Sequence, residues 1–204
     1  MNECSIITID WDLLCSISYR TRLGKSLKNT LHKFDKDELF EEIGDMIDYF
    51  TEIATDEKIK YENRIKALHS VSLKYDKHFP NTPVEKTFND ILGIRVIVND
   101  YSIVDIIEFP ETTRVADMRK GKSQDDGYRG IHVYYQKDHF HYPIEIQFVT
   151  SFDRQFNAWL HTYLYKYVDD LSVGSTLREK YENGQIISEE QFRKEMNKYV
   201  LSGS

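Results

Sequence analysis

Six consecutive residues, Gly127-Tyr128-Arg129-Gly130-Ile131-His132, are followed after a short gap by Glu145-Ile146-Gln147. Together they gather an aromatic ring, two cationic or potentially cationic side chains and a carboxylate. Such a set suits a site that holds a nucleotide and a metal. The ring offers a surface on which a base can stack, and Gly127, lacking a Cβ, lets a flat ring or a backbone come close. Upstream, Arg64, Lys66, Ser70 and Lys74 place cations beside a hydroxyl. Residues 66, 70 and 74 are four apart and share one face of a helix, while Arg64 reaches the same ligand from its start. That grouping suits a triphosphate. Asp90 and Glu145 add two carboxylates, hard oxygen ligands of the kind Mg²⁺ uses together with phosphates. Taken singly, each feature has an ordinary reading: a solvated basic face, a capping carboxylate, a packing tyrosine.

The elements that must position these residues follow from periodicity. Leu39, Phe40, Ile43, Met46, Ile47, Phe50 and Ile53 recur at helical spacing, and Ile65, Leu68, Val71 and Tyr75 predict a second helix. These two helices are expected to precede the first strand, Ile94 to Val98, a β-branched run apolar on both faces as a covered sheet requires. Further strands are expected at Thr113 to Met118, Ile131 to Gln136 and Ile144 to Val149, with a turn at Asp125-Asp126-Gly127. Beyond Ser151 the pattern returns to helix, with Phe152, Phe156, Trp159, Leu160, Tyr163 and Leu164 as an apolar stripe and Glu189 to Tyr199 as a final helix. The fold class is α+β: a mixed sheet of about five strands flanked by helices. The expected division is a basic helical N-terminal region (1–36), a catalytic core (37–170) and a helical C-terminal extension (171–204), in one compact domain.

Composition narrows the classes. With 40% apolar and 30% charged residues, 14 Tyr and 11 Phe, the chain is that of a folded protein able to build a core. Cys4 and Cys15 are its only cysteines, so no disulfide framework or Cys-x-x-Cys metal site is expected, and a reducing compartment is. The first residues carry Glu3, Asp10 and Asp12 where a secretion signal needs basic residues, and no apolar run is long enough to span a bilayer. The expectation is a cytoplasmic protein without a membrane partner. The net charge of -7 argues against a uniformly cationic surface, but its distribution is uneven. Arg20, Arg22, Lys25, Lys28, Lys33 and Lys36 cluster against Asp35 alone, and every charged residue from Asp37 to Glu57 is acidic.

The ordered segments RIKALHS (64–70), DILGIRVIV (90–98), GYRGIH (127–132) and EIQFVT (145–150) resemble the four motifs of the RelA/SpoT synthetase domain, in the family order, over roughly residues 40–170. The resemblance implies the nucleotidyltransferase-like fold of that family. It also implies its activity, transfer of the β,γ-pyrophosphate of ATP to a ribose 3′-hydroxyl with release of AMP. By the same resemblance Arg64 and Arg95 sandwich the adenine, Lys66, Ser70 and Lys74 lie along the phosphates, and Asp90 and Glu145 hold Mg²⁺. Tyr128 stacks on the acceptor base, Arg129, His132, Gln147 and His161 line the acceptor side, and Glu145 is the candidate to accept the hydroxyl proton.

Departures from the pattern concern the acceptor. Val149 stands where the family usually has Arg, Leu160-His161 where it commonly has Glu-His, and Gly130 where Ser is frequent. With the small size and the basic segment, they make the chain similar to the toxic branch of small alarmone synthetases, the FaRel-type toxins of toxin–antitoxin pairs. That likeness implies a tRNA 3′-CCA acceptor and a neutralising antitoxin partner, with Arg22, Lys25 and Lys28 on the acceptor-stem phosphates. The alternatives left open are a synthetase of (p)ppGpp or an adenine analogue, a catalytically silent binding module, and a basic segment that merely pairs with the acidic stretch after it.

Overall fold

The computed structural model describes residues 9–56, 59, 61–168 and 170–202. Cys4 and the first eight residues of the N-terminal region lie outside them. A short helix α1 (Trp11–Ile17) is capped by Asp10, whose side chain accepts from the Leu13 amide. The basic residues Arg20 to Lys28 then run on irregular chain rather than the expected helix, through Gly24 at φ +65° and up to a single 3-10 turn at Leu31–Lys33. Helix α2 (Lys36–Thr55) starts at Asp35, whose carboxylate accepts from the amides of Asp37 and Glu38, and buries Leu39, Ile43, Met46, Phe50 and Ile53 at the predicted spacing.

The next element corrects the expectation that the segments of residues 39–53 and 65–75 are helices with no strand between them. Glu62–Ile65 is strand β1, and helix α3 begins only at Leu68 and runs to His78. The sequence ENRI is short, polar and at the sheet edge, so no alternation betrays it. Arg64 therefore lies on a strand and Lys66 in the following turn, while Ser70 and Lys74 ride on α3. After α4 (Val84–Thr87) come β2 (Leu92–Val98), α5 (Ser102–Asp105), β3 (Thr113–Asp117), β4 (Ile131–Tyr135) and β5 (Ile144–Thr150), then helices α6 (Ser151–Trp159), α7 (Leu171–Glu182) and α8 (Glu189–Ser202). The five strands form one mixed sheet in the order β1-β2-β5-β4-β3, flanked by helices, as the α+β reading requires. β1 and β2 are antiparallel, with Glu62 opposite Arg95 and Arg64 opposite Gly93.

Alternation along the strands sorts the sheet. Leu92, Ile94 and Val96 of β2, Val133 and Tyr135 of β4 and Ile144 and Ile146 of β5 are buried on one side. The intervening Gly93, Arg95, His132, Tyr134 and Gln147 are only half-buried. β2 is thus not covered on both faces as its apolar run suggested; one face is core and the other carries the polar chemistry, the pattern of an antiparallel pair.

The chain divides into two compact units: residues up to Val96 with Ile103–Val115 and His132–Gln147, and Ile97–Ser102 with Ala116–Ile131 and the residues from Phe148 on. The second unit has its own aromatic-rich core, in which Phe156, Trp159, Leu160, Leu164, Leu177, Tyr181 and Phe192 pack together with Tyr128. The expected stripe holds except at Phe152, which is 48% exposed and stacks on Tyr181 at 4.2 Å. Beyond Trp159 the helix widens into a π turn, Leu160–Leu164, of the kind often found at functional sites.

Candidate active site

In the first unit the two carboxylates stand in different company. Asp90 lies in the turn before β2, where Lys66 Nζ donates to its Oδ2 at 2.5 Å and Lys74 Nζ to its Oδ1 at 3.0 Å. Lys74 also donates to Asn89 Oδ1 at 3.0 Å. The shared helix face read from spacing is thus realised differently: Lys74 reaches from α3 and Lys66 from the turn, whose amide bonds the Ile91 carbonyl at 2.9 Å. Burial works to raise the Asp90 carboxyl, and the ammonium charges of Lys74 and Lys66 overcome it, leaving it below the usual carboxylate range. Ser70 is half-buried on α3.

Glu145 on β5 is 6% exposed. Its Oε1 lies 2.9 Å from His132 Nδ1 on β4, and its Oε2 accepts from Gln147 Nε2 at 2.6 Å. Burial and the charge of Asp90 raise its carboxyl, the hydrogen bond and charge of His132 lower it more, and it too ends below the ordinary value. Beside it, Gly93 of β2 keeps space open: a Cβ there would stand 3.5 Å from Glu145 Oε2. Tyr134, raised by burial and by the charges of Glu145 and Asp90, stays a neutral phenol and carries the Arg114 guanidinium 4.2 Å above its ring.

Gly93, His132, Tyr134, Glu145 and Gln147 share the polar face of the sheet, and Asp90 stands at the entrance to β2. Arg64, opposite Gly93, and Arg95, opposite Glu62, are diagonal neighbours on β1 and β2, roughly 7–8 Å apart between backbones. That leaves room for a planar ring between two guanidinium groups. Arg95 Nη1 is held by Glu62 Oε1 at 2.8 Å, while Arg64 is exposed.

Whether Mg²⁺ suits this chemistry can be judged from the donors. Asp90 and Glu145 sense each other's charge, so a divalent cation between phosphates and carboxylates would relieve both their repulsion and the desolvation of Glu145. Among the described residues no group of three or more His, Cys, Asp and Glu could hold a metal. Two carboxylates with the remaining positions left to phosphate oxygens and water is the manner in which Mg²⁺ is held at nucleotide sites. The residues fit that ion.

The low values of Asp90 and Glu145 have a consequence for stability. A carboxyl lowered in the folded state adds stability that is fully present above its unfolded value, about pH 4, and is lost as pH falls through the lower folded value. The urea midpoint of the protein is expected to fall steadily from about pH 5 to about pH 2. Glu145→Gln should flatten that fall, and an unchanged slope in the variant would contradict it.

In the second unit, Tyr128 is only 9% exposed. Its ring meets His161 edge-on at 6.3 Å, and the Lys122 ammonium lies 5.1 Å from its centroid. The π turn leaves His161 exposed beside Tyr128 while Leu160 and Leu164 point inward. Arg129 is engaged by Asp125 through both terminal nitrogens, at 2.8 and 3.0 Å.

Two residues that no motif suggested are tied into this unit by buried polar bonds, and the first of them holds the loop. Asn157 accepts from the Arg129 amide at 3.2 Å and donates to the Arg129 carbonyl at 2.7 Å. Asp153 pairs with buried Arg178 and accepts from Tyr101 at 2.7 Å. A signal existed: 153, 156, 157 and 160 form one apolar stripe of α6 and of the turn continuing it, and polar residues on such a stripe need partners.

In the basic segment, Arg22 pairs with Asp45 of α2, and its amide donates to Glu42 Oε2 at 2.5 Å. Arg22, Glu38, Glu41, Glu42 and Asp45 line a cavity of about 490 Å³. Lys25 donates to the Lys33 carbonyl at 2.9 Å, and Lys28 is exposed. Among the described residues no helix is long and apolar enough to cross a membrane.

Residues 63–170 match the family described as "Region found in RelA / SpoT proteins". Comparison with the curated proteins finds no match. Among solved structures the chain is similar to small alarmone synthetase 1 from Bacillus subtilis bound to its product pppGpp, at 18% identity over 78% of this chain and 92% of that one, with a TM-score of 0.45. It is also similar to small alarmone synthetase 2 from Bacillus subtilis, at 19% identity over 72% and 89% of the two chains with a TM-score of 0.43. A third similar structure is a GTP pyrophosphokinase family protein from Streptococcus pneumoniae, at 21% identity over 77% and 87% with a TM-score of 0.41.

Proposed function

Because the chain belongs to the RelA/SpoT family, we propose that it is an ATP-dependent pyrophosphokinase whose acceptor is the 3′-hydroxyl of the tRNA CCA end. Acting there, it blocks aminoacylation and so works as a toxin, held in check by an antitoxin. The observation that carries the catalytic part is the pair of carboxylates, Asp90 between Lys66 and Lys74 at the entrance to β2 and buried Glu145 on the polar face of the sheet between His132 and Gln147.

In this reading Arg64 and Arg95 take the adenine, and Lys66, Ser70 and Lys74 take the phosphates. Asp90 and Glu145 hold Mg²⁺, which when bound neutralises charge on the transferring phosphates. As ATP arrives, Lys66 and Lys74 exchange a carboxylate for phosphate oxygens and remain charge-paired throughout. The acceptor oxygen attacks the β-phosphorus, the bond from that phosphorus to the α,β-bridging oxygen breaks, and AMP leaves with the oxygen. Glu145, ionised at neutral pH, accepts the hydroxyl proton, and His132 and Gln147 hold it in place. Catalysis then consists chiefly of positioning and charge neutralisation.

Acceptor choice is supported by what is missing. Val149 and Leu160 stand where the family pattern has a cation and a carboxylate, and they are 3% and 0% exposed, packed as apolar core. Groups suited to reading a guanine are thereby absent at those two positions. A base stacking on Tyr128 takes the place of the Lys122 ammonium, with Arg129 and His161 beside it. On the tRNA side Lys25 and Lys28 are the cations available to acceptor-stem phosphates, whereas Arg22 is largely offset by Asp45. That pairing favours the second reading, synthesis of (p)ppGpp or an adenine analogue.

The test is to incubate the protein with Mg²⁺ and γ-labelled ATP, offering deacylated tRNA in one reaction and GDP or GTP in another. Label is expected on tRNA, and Tyr128→Ala should reduce it by about tenfold or more, the worth of one stacked base. Label on the guanine nucleotide alone would establish alarmone synthesis instead, and label on neither would leave a binding module.

A further inference from the structure

Helix α7 begins where the family match ends, yet it bears directly on the loop that carries Tyr128. Gly174, buried on α7, lies flat against the backbone of Asp126 and Gly127. A Cβ on Gly174 would overlap the Asp126 carbonyl oxygen, come 2.7 Å from its carbon and 3.2 Å from Leu164 Cδ2. A Cβ on Gly127, whose φ is +84°, would overlap the Gly174 carbonyl oxygen and come 2.7 Å from its carbon. The obstruction on both sides is backbone, which cannot swing away as a flexible side chain can. Helix stability alone favours alanine over glycine inside a helix, so stability does not account for Gly174. Gly44 of α2 is a contrast, since a Cβ there meets nothing within 4 Å.

One turn further along α7, Arg178 continues the contact: its Cβ is the third neighbour of a Cβ placed on Gly127, at 3.4 Å. The Arg178 side chain is 4% exposed, paired with Asp153 and, at 2.6 Å, with Glu182 Oε1, and its guanidinium carbon lies 5.2 Å from the centre of the Phe156 ring. Within the loop, Asp125 Oδ1 accepts from the Gly127 amide at 3.0 Å and Asp126 Oδ1 from the Tyr128 amide at 3.2 Å. α6 holds the next residue, Arg129, through Asn157.

We propose that Gly174 is a positioning residue for the acceptor. By admitting the backbone of residues 126–127 against α7, it seats the loop that presents Tyr128. The assignment rests on the reading of Tyr128 as the acceptor platform. A group that holds the acceptor equally before and during the reaction lowers its KM and leaves kcat unchanged, so unseating the platform weakens acceptor binding by about the worth of one stacked base, roughly tenfold.

The test compares Gly174→Ala with wild type and with Gly44→Ala, using deacylated tRNA and GDP as acceptors. Gly174→Ala is expected to raise the acceptor KM about tenfold with kcat changed less than about twofold, while Gly44→Ala changes neither. Its Gly127–Arg129 amides should exchange with deuterium at least about tenfold faster, and those of Leu92–Val96 at the wild-type rate. A fall in kcat matching the fraction unfolded, with KM and loop exchange unchanged, would overturn the proposal. If the alanine variant does not fold, the wild type decides. In a low-urea series the amides of 127–129 and of 174–178 should open together, and a loop that opens long before α7 overturns the inference. If the wild type modifies neither acceptor, the proposed function falls, and the exchange result still decides whether α7 seats the loop.

Discussion

Glu145→Gln is expected to lower pyrophosphate transfer by on the order of 10³-fold with the fold intact. Glutamine keeps the size of the side chain and removes its charge. It therefore takes away one of the two carboxylates suited to Mg²⁺ and the group proposed to receive the hydroxyl proton, while the neighbouring His132 and Gln147 remain. Steady-state transfer to the preferred acceptor, with circular dichroism to confirm folding, measures it. Activity within about tenfold of wild type would remove Glu145 from the chemistry. Asp90→Asn should be comparably inactive for an added reason: Lys66 and Lys74 lose the charge that now holds them at the site.

The largest effect on stability is expected at Arg178→Met. Its pair with Asp153 is buried on both sides, at 4% and 7% side-chain exposure, and removing one partner of such a pair typically costs about 3–5 kcal/mol. Asp153 would keep the hydroxyls of Tyr101 and Thr150, at 2.7 and 2.8 Å, which puts the loss at the lower end, about 3 kcal/mol. For a chain of this size that is roughly a 10 °C drop in Tm. The double variant with Asp153→Asn should regain part of the loss, because the stranded charge goes with it. A double variant no more stable than Arg178→Met would mean that the loss came from packing against Phe152, Phe156 and Tyr181 instead.

Much of the fold was legible because it is written in local periodicity. The stripe of α2 and the aromatic stripe from Phe156 to Leu164 follow from a spacing of 3.6, and β2 to β5 from short β-branched or apolar runs bounded by turn signals. What failed had no local signal. β1 is four residues of mostly polar chain, a strand only because Glu62 and Arg64 face Arg95 and Gly93. The basic segment reads as helical by composition, yet its turns and bonds to distant partners keep it irregular.

The sequence by itself determined the family and the inventory of its chemistry, since motif order and residue type survive without coordinates: RIKALHS, DILGIR, GYRGIH and EIQ. It also determined that no cation stands at Val149 and no carboxylate at Leu160. Only the tertiary structure decided how these residues are used. It put two lysines on Asp90, His132 on Glu145 and open space at Gly93, tied Arg22 to Asp45, sank Tyr128 into an aromatic core, and laid Gly174 against Gly127. Each of these joins residues at least 13 positions apart, at distances set by strand pairing and close packing. Periodicity reports only which face of its own element a residue occupies; which neighbour it meets there is decided when the elements pack.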